Sequence, residues 1–183
     1  MAVFPEDDEL LLQFKTEATK EAAYTLIIKK YQERLYWHIR RMVVTHDDAN
    51  DVLQNMFIKV WNSLENFRED SQLYTWMYRI ATNESLTFLE KRKKRSAISI
   101  SDEDHDMSNR LKADENFDGN KIEWKLQQAI QLLPEKQKAV FNLRYFEEMP
   151  YGEMSKVLET SEGALKASYH HAVKKIEAFI LNS

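Results

Sequence analysis

Glycine and proline are scarce in this chain, with three of each among 183 residues. Because turns between strands draw heavily on these two residue types, their scarcity disfavours a fold built from hairpins. Apolar residues also recur at helical spacing, as at Ile27, Tyr31, Leu35 and Ile39. The sequence therefore predicts an all-α fold.

One segment of the chain lacks this periodicity. Serine, aspartate, asparagine and glutamate dominate residues 96–117, which contain too little apolar surface to form a core. We therefore predict two small helical domains, over residues 1–95 and 121–183, joined by a flexible acidic linker over residues 96–120. The basic run KRKKR at residues 91–95 precedes the linker, so charge is locally separated although the net charge is only −4.

The residue inventory argues against several classes of function. Without cysteine the chain has no disulfide and no thiolate zinc site. The five histidines show no metal-ligand spacing, no nucleophile is paired with a base, and no glycine-rich loop could cradle phosphate. We expect no enzyme activity, cofactor or metal. No apolar run approaches ~20 residues and the acidic start does not resemble a signal peptide, so we expect a cytoplasmic protein without membrane insertion.

The carboxyl-terminal part has the spacing of a helix-turn-helix motif. A short helix over residues 151–158 is followed by a tight turn, and Ser161 is a candidate N-cap for a helix reaching Leu181. The longer helix has a face with cationic, small and hydrogen-bonding side chains, which would suit DNA. A structural hairpin with an ordinary solvated face is the alternative. This face comprises Lys166, Ala167, His170, His171 and Lys174.

A second face of this kind lies on the helix predicted over residues 73–94. Steps of four residues connect Arg79, Asn83 and Thr87 to Lys91, and Trp76 lies at the edge of the same stripe. A tryptophan beside basic and amide side chains could stack on an opened base. The alternative is that Trp76 belongs to the core and that the basic run is a solvated helix end.

Four segments resemble conserved regions of the sigma-70 family of transcription factors. The segment DDANDVLQNMFIKVW at residues 47–61 resembles region 2.2, and FREDS at residues 67–71 with YTWMYRIATN at residues 74–83 resembles regions 2.3 and 2.4. The segment LLPEKQKAVF at residues 132–141 resembles the start of region 4, and GALKASYHHA at residues 163–172 lies in its recognition helix. The absence of regions 1.1 and 3 is typical of the small, two-domain extracytoplasmic-function class.

The resemblance implies a transcription initiation factor that directs bacterial core RNA polymerase to promoters and assists their melting. The implied partners are the clamp helices of the largest polymerase subunit, the flap of the second subunit, promoter DNA and an anti-sigma factor. Core polymerase binding is expected at Asp51, Leu53, Gln54, Phe57, Lys59 and Trp61. Recognition of the −10 element is expected at Phe67, Arg68, Asp70, Ser71, Trp76, Arg79, Asn83, Thr87 and Lys91. Recognition of the −35 element is expected at Ser161, Lys166, Ala167, His170, His171 and Lys174. Family members often have arginine at the positions of Ser168 and His171, where this chain departs from the pattern.

Two other functions are compatible with parts of the sequence. An autonomous two-domain helix-turn-helix regulator would explain the DNA-binding motif but not the segment at residues 51–61. A helical adaptor protein would need neither cationic face.

Overall fold

A computed structural model describes residues 4–98 and 121–182, and this part of the chain is helical without strands. The predicted linker lies almost entirely outside the described residues. The elements are α1 (Asp7–Phe14), α2 (Lys20–Val43), α3 (His46–Ser63), a short 3₁₀ helix (Leu64–Asn66), α4 (Leu73–Ile98), α5 (Lys121–Gln131), α6 (Glu135–Tyr145), α7 (Tyr151–Leu158) and α8 (Glu162–Asn182). None of the described helices is both long and apolar enough to span a bilayer.

The predicted helices are confirmed, with small differences at their ends. The motif helix α7 spans the predicted residues, and Ser161 caps α8 because its Oγ accepts the N–H of Ala164 at 3.3 Å. Helix α4 continues four residues beyond its predicted end at Lys94, through Ile98. The sequence prediction missed α1, whose eight residues are too few to establish a periodic pattern.

Helices α1 to α4 form the first unit. The stripe predicted on α2 is buried along its length, from Ile27 to Val43, against α3 and α4. Helix α3 begins after Thr45, whose side-chain oxygen accepts the N–H of Asp48 at 3.2 Å. Helix α1 covers one end of this bundle through the buried side chain of Phe14, whose ring lies 5.4 Å from that of Trp61.

Helices α5 to α8 form the second unit. Its own core lies between α5, α6 and α8 and includes Ile130, Phe141, Ala172 and Ile176. Phe141 stacks on Tyr169 of α8 with ring centroids 5.8 Å apart, so the buried side of α8 is fixed against α6. The opposite side of α8 consequently faces outward.

The two units pack directly against each other. Helix α6 contacts α2 and α4, and α7 lies along α4. One continuous apolar cluster joins the first unit's core to Leu143, Met154 and Leu165 of the second. Polar contacts accompany it, since Gln131 Nε2 donates to the carbonyl oxygen of Arg41 at 2.9 Å. The sequence prediction of two units joined by a linker did not include this contact, which depends on apolar faces far apart in the sequence.

Candidate nucleic-acid interface

The outer face of α8 is formed as the sequence predicts. All six residues expected at the −35 element are exposed, and the side chains of the opposite stripe, such as Leu165 and Ile176, are buried. Lys166 is 60% exposed, and its Nζ lies 3.9 Å from Glu162 and 5.5 Å from the ring centroid of Tyr151. The face thus presents cationic and hydrogen-bonding groups that DNA could meet without disturbing the core.

The predicted stripe on α4 is also solvent-facing. Arg79, Asn83, Thr87 and Lys91 are exposed, at steps of four residues along one side of the helix. The Asn83 amide makes no hydrogen bond to any other described residue. Arg79 differs, because its guanidinium is hydrogen-bonded to the carboxylate of Glu159 in the turn between α7 and α8.

The loop before α4 brings the remaining −10 candidates next to this stripe. The half-buried rings of Phe67 and Trp76 lie 5.0 Å apart, so Trp76 is held at the junction of the loop and helix. Arg68 and Asp70 are exposed, and Ser71 is partly exposed. The structure therefore places the nine −10 candidates on one continuous part of the surface.

Helix α3 presents the residues expected to bind polymerase. Asp51, Gln54 and Lys59 are exposed, and Lys59 forms an ion pair with Glu84 of α4. Leu53 and Phe57 are half-buried. Trp61 differs from these residues in its surroundings: its ring lies 5.0 Å from that of Tyr24 and also contacts Phe14.

Sequence reasoning missed one candidate on this face, Ile58. Its side chain is 54% exposed, and it lies seven residues after Asp51 and four after Gln54, on the same side of α3. Projecting α3 about its axis could have found it, because Val52, Met56 and Val60 define the opposite, buried side. An exposed isoleucine among polar residues is a natural contact for an apolar partner surface.

A second omission is a charged cluster between the units. The side chain of Glu147, which follows α6, is only 8% exposed and accepts a hydrogen bond from Tyr78 at 2.6 Å. Arg41 donates to the same carboxylate at 3.1 Å, and Arg34 lies 3.6 Å from it. Burial and the bond to Glu147 raise the pKa of Tyr78 far above its ordinary value, while burial lowers the pKa of Arg41. No sequence motif connects these four residues.

His38 is fully buried in the first unit, beneath the α4 surface. Its Nε2 is 2.9 Å from Thr82 Oγ1, its ring lies 5.1 Å from Tyr78, and its Nδ1 has no hydrogen-bond partner among the described residues. Burial, assisted by the charge of Arg41, lowers the pKa of His38 to about 3. His38 is therefore a neutral core residue at physiological pH.

The part of the chain that the structure describes contains no cluster of three or more histidine, cysteine or acidic residues that could hold a metal ion. The exposed faces of α4 and α8 instead present cationic side chains beside amide and hydroxyl groups, which are suited to contacts with macromolecules.

Comparison with known proteins shows to which family the chain belongs. The sequence matches the family Sigma-70 region 2 over residues 27–95 and the family Sigma-70, region 4 over residues 123–176. It is 31% identical to the RNA polymerase sigma-H factor of Pseudomonas aeruginosa, with 94% of this chain and 93% of the relative aligned. It is 28% identical to the ECF RNA polymerase sigma-E factor of Escherichia coli (strain K12), over 93% of this chain and 92% of the relative.

Solved structures support the fold. CnrH, in complex with the cytosolic domain of CnrY, matches with a TM-score of 0.70 at 18% identity, covering 97% of this chain and 98% of CnrH. The sigma factor RpoE of Bartonella quintana, in complex with the anti-sigma factor NepR, matches with a TM-score of 0.68 at 16% identity, covering 86% of this chain and 96% of RpoE.

The two matched regions and the helical fold define a two-region transcription initiation factor. The chain belongs to the sigma-70 family, in its extracytoplasmic-function group, and serves promoter-specific initiation by RNA polymerase. The predicted family, fold class and function are thereby confirmed.

Proposed function

We propose that α8 reads the −35 element and that α4, with the loop before it, reads and opens the −10 element. The observation that carries this proposal is the pair of exposed cationic faces, one in each unit, at the positions that match the family's DNA-reading segments. Lysine and arginine favour phosphate contacts, while asparagine, serine and histidine can bond base edges. Trp76, held beside Phe67, would stack on an unpaired base.

The polymerase surface would then be the face of α3, through the six sequence-predicted residues together with Ile58. The second unit would contact the flap. A sigma factor of this kind acts beside the polymerase in the cytoplasm and leaves the chemistry of RNA synthesis to it. The sigma factor RpoE of Bartonella quintana was solved with the anti-sigma factor NepR, and CnrH was solved with the cytosolic domain of CnrY, so an anti-sigma factor is also proposed for this chain.

Run-off transcription with core polymerase and a panel of promoters is the direct test. Initiation at a subset of promoters, dependent on both elements, is the expected result. Electrophoretic shifts with and without polymerase complement it: the free chain should bind promoter duplex weakly, because its net charge is −4 and each cationic face is small. Tight, sequence-specific binding by the chain alone would instead indicate an autonomous regulator.

Substitution of Lys166 or His171 is expected to weaken recognition of the −35 element without weakening core polymerase binding. Both side chains are exposed, so neither change opens a cavity. Loss of a base contact should cost about 1–3 kcal/mol at one promoter position, whereas loss of a phosphate contact should weaken all promoters alike. Transcription from −35 variants, titrated with polymerase, measures the difference.

Lys175→Ala is the matched control for Lys166→Ala, because it removes the same charge from the same helix. Lys175 is exposed on another side of α8, where its Nζ donates to Gln137 at 3.0 Å. If the Lys166 and His171 variants both transcribe from every promoter with an altered −35 element as wild type does, this face is not the reading surface.

Replacing Ile58 with serine is expected to weaken binding to core polymerase by about tenfold. Burial of an exposed aliphatic side chain in an interface contributes about 1–2 kcal/mol, and its removal from solvent-facing α3 should leave the folded chain intact. Fluorescence anisotropy of labelled chain titrated with core polymerase gives the affinity. Leu181→Ser, at a residue that is 84% exposed at the far end of α8, is the control and should bind like wild type.

A further inference from the structure

The ammonium group of Lys166 is held by two side chains at the surface of the helix-turn-helix. Its Nζ lies 5.5 Å from the ring centroid of Tyr151, the first residue of α7, and 3.9 Å from Oε2 of Glu162, the first residue of α8. Aromatic rings attract cations that lie over their faces within about 6 Å. Because a free lysine side chain populates many rotamers, these two contacts restrict where the amine points.

Tyr151 provides a fixed platform for this contact. Its half-buried ring packs against the apolar cluster that continues into the first unit. Arg144 of α6 also lies over the ring, with Cζ 5.1 Å from the centroid, and its Nη1 donates to the carbonyl oxygen of Met149 at 3.1 Å. The ring is therefore anchored by the core and by α6, independently of Lys166.

Glu162 makes Lys166 a poor partner for phosphate. Its carboxylate is 53% exposed beside the ammonium, and its Oε1 lies 3.6 Å from the place that a Cβ would take on Gly152, in the first turn of α7. A phosphate that approached Lys166 would be repelled by this negative charge, whereas the edge of a base carries no net charge. Guanine offers two acceptors, O6 and N7, to a lysine amine.

Lys174 lies about two turns further along the same face and has different surroundings. It is exposed, and it forms no ion pair or ring contact with a described residue. A cation without an ion-pair partner is suited to phosphate, and phosphate contacts hold a protein on DNA without reading its sequence. The surroundings of the two lysines thus favour different partners.

We propose that Tyr151 is a positioning residue for −35 recognition: the face of its ring aims the amine of Lys166 at the O6 and N7 acceptors of a guanine and so sets the sequence preference of α8. The inference rests on the proposed −35 role of α8 and makes it more specific, since Lys166 reads a base and Lys174 binds phosphate. Tyr151 acts through its ring and not through its hydroxyl.

The test compares transcription by the holoenzyme from promoters that differ at single −35 positions. Lys166→Ala should lower the ratio of transcription from guanine to that from the other bases at one position by about tenfold, and leave the other positions unchanged. Lys174→Ala should instead lower transcription from every −35 variant alike and make it less sensitive to salt.

Tyr151→Leu should lower the same ratio at the same position by about threefold, because the ring no longer lies beneath the amine. Tyr151→Phe keeps the ring and should retain the wild-type ratio. In a chain that already carries Lys166→Ala, Tyr151→Leu should change the ratio no further, since it acts only through Lys166. Each ratio is measured on one protein sample, so a smaller folded fraction does not alter it.

Tyr145→Leu is the matched control, because it replaces an exposed tyrosine of the same unit whose ring stacks on Phe141 and not on a cation of the described residues. It should retain the wild-type ratio. Tyr151→Met keeps a long apolar side chain against the core without an aromatic face, so it should match Tyr151→Leu. It takes the place of that variant if circular dichroism shows that leucine prevents folding.

An unchanged ratio for Tyr151→Leu and Tyr151→Met, when Lys166→Ala lowers it, would overturn the positioning role. An equal loss for Tyr151→Phe would overturn it too, because the hydroxyl would then be the active group. Equal loss from every −35 variant with Lys166→Ala would make Lys166 a phosphate contact and overturn base reading. The proposed −35 role fails in a different way: neither Lys166→Ala nor Lys174→Ala would then affect any −35 variant, and the positioning role would fail with it.

Discussion

Replacing Asn83 with alanine is expected to reduce promoter opening by one to two orders of magnitude, about 1–3 kcal/mol, with little effect on stability. The Asn83 amide is exposed on the α4 stripe and makes no hydrogen bond to another described residue, so it is available to donate to and accept from a base edge. Alanine can do neither. Promoter opening by the reconstituted holoenzyme, measured on duplex templates with −10 variants, gives the effect.

The thermal midpoint of the free variant separates this role from a structural one. A surface substitution of this kind should change the free energy of unfolding by no more than about 0.5 kcal/mol. Asn182→Ala, at an exposed asparagine near the end of α8, is the control and should initiate normally. A large fall in the midpoint of Asn83→Ala would make Asn83 structural, and normal opening on every −10 variant would remove it from the reading surface.

Acidification is expected to destabilise the chain through His38. The pKa of this histidine is about 3 in the folded state because burial disfavours the charged ring, whereas an unfolded histidine titrates near its ordinary value of 6.5. Between these values the unfolded chain binds a proton that the folded chain does not. The contribution of neutral His38 to the free energy of unfolding is therefore fully present above pH 6.5 and is lost as the pH falls toward 3. At pH 4 the loss is on the order of 3 kcal/mol.

The measurement is the free energy of urea unfolding as a function of pH from 7 to 4. His38→Gln removes the titrating ring while leaving an amide to bond Thr82 Oγ1, so its stability should fall less steeply over this range, whatever its value at pH 7. His171→Gln, at an exposed histidine, should follow the wild-type slope. Equal slopes for wild type and His38→Gln would show that His38 does not cause the acid sensitivity.

Much of the fold follows from local patterns in the sequence. The stripe from Ile27 to Val43 is sufficient to define α2, since apolar side chains at helical spacing can be buried together only on a helix. The cap at Ser161 and the spacing of its neighbouring helices are likewise local, so the helix-turn-helix and the outward face of α8 could be predicted. Helix α1 was missed because its two turns carry too little periodicity.

The family resemblance added the residues of α3 and of the loop before α4, and the structure finds all of them exposed or half-buried. The resemblance did not identify Ile58, because a motif match follows positions in a pattern and does not measure exposure. A helical projection of α3 contains that information, because Val52, Met56 and Val60 define the buried side and Ile58 lies opposite to it.

Only the tertiary structure decided which distant residues meet. Tyr78 and Glu147 are 69 residues apart in the chain, and Arg41 and Glu147 are 106 apart, so no periodicity relates them. The sequence determines that each unit is helical and that each has a cationic outer face, since both depend on neighbours within a few turns. The burial of Glu147 and His38, and the covering of Arg79 by Glu159, depend on how the finished helices pack, because desolvation and charge pairing arise only when separate surfaces come into contact.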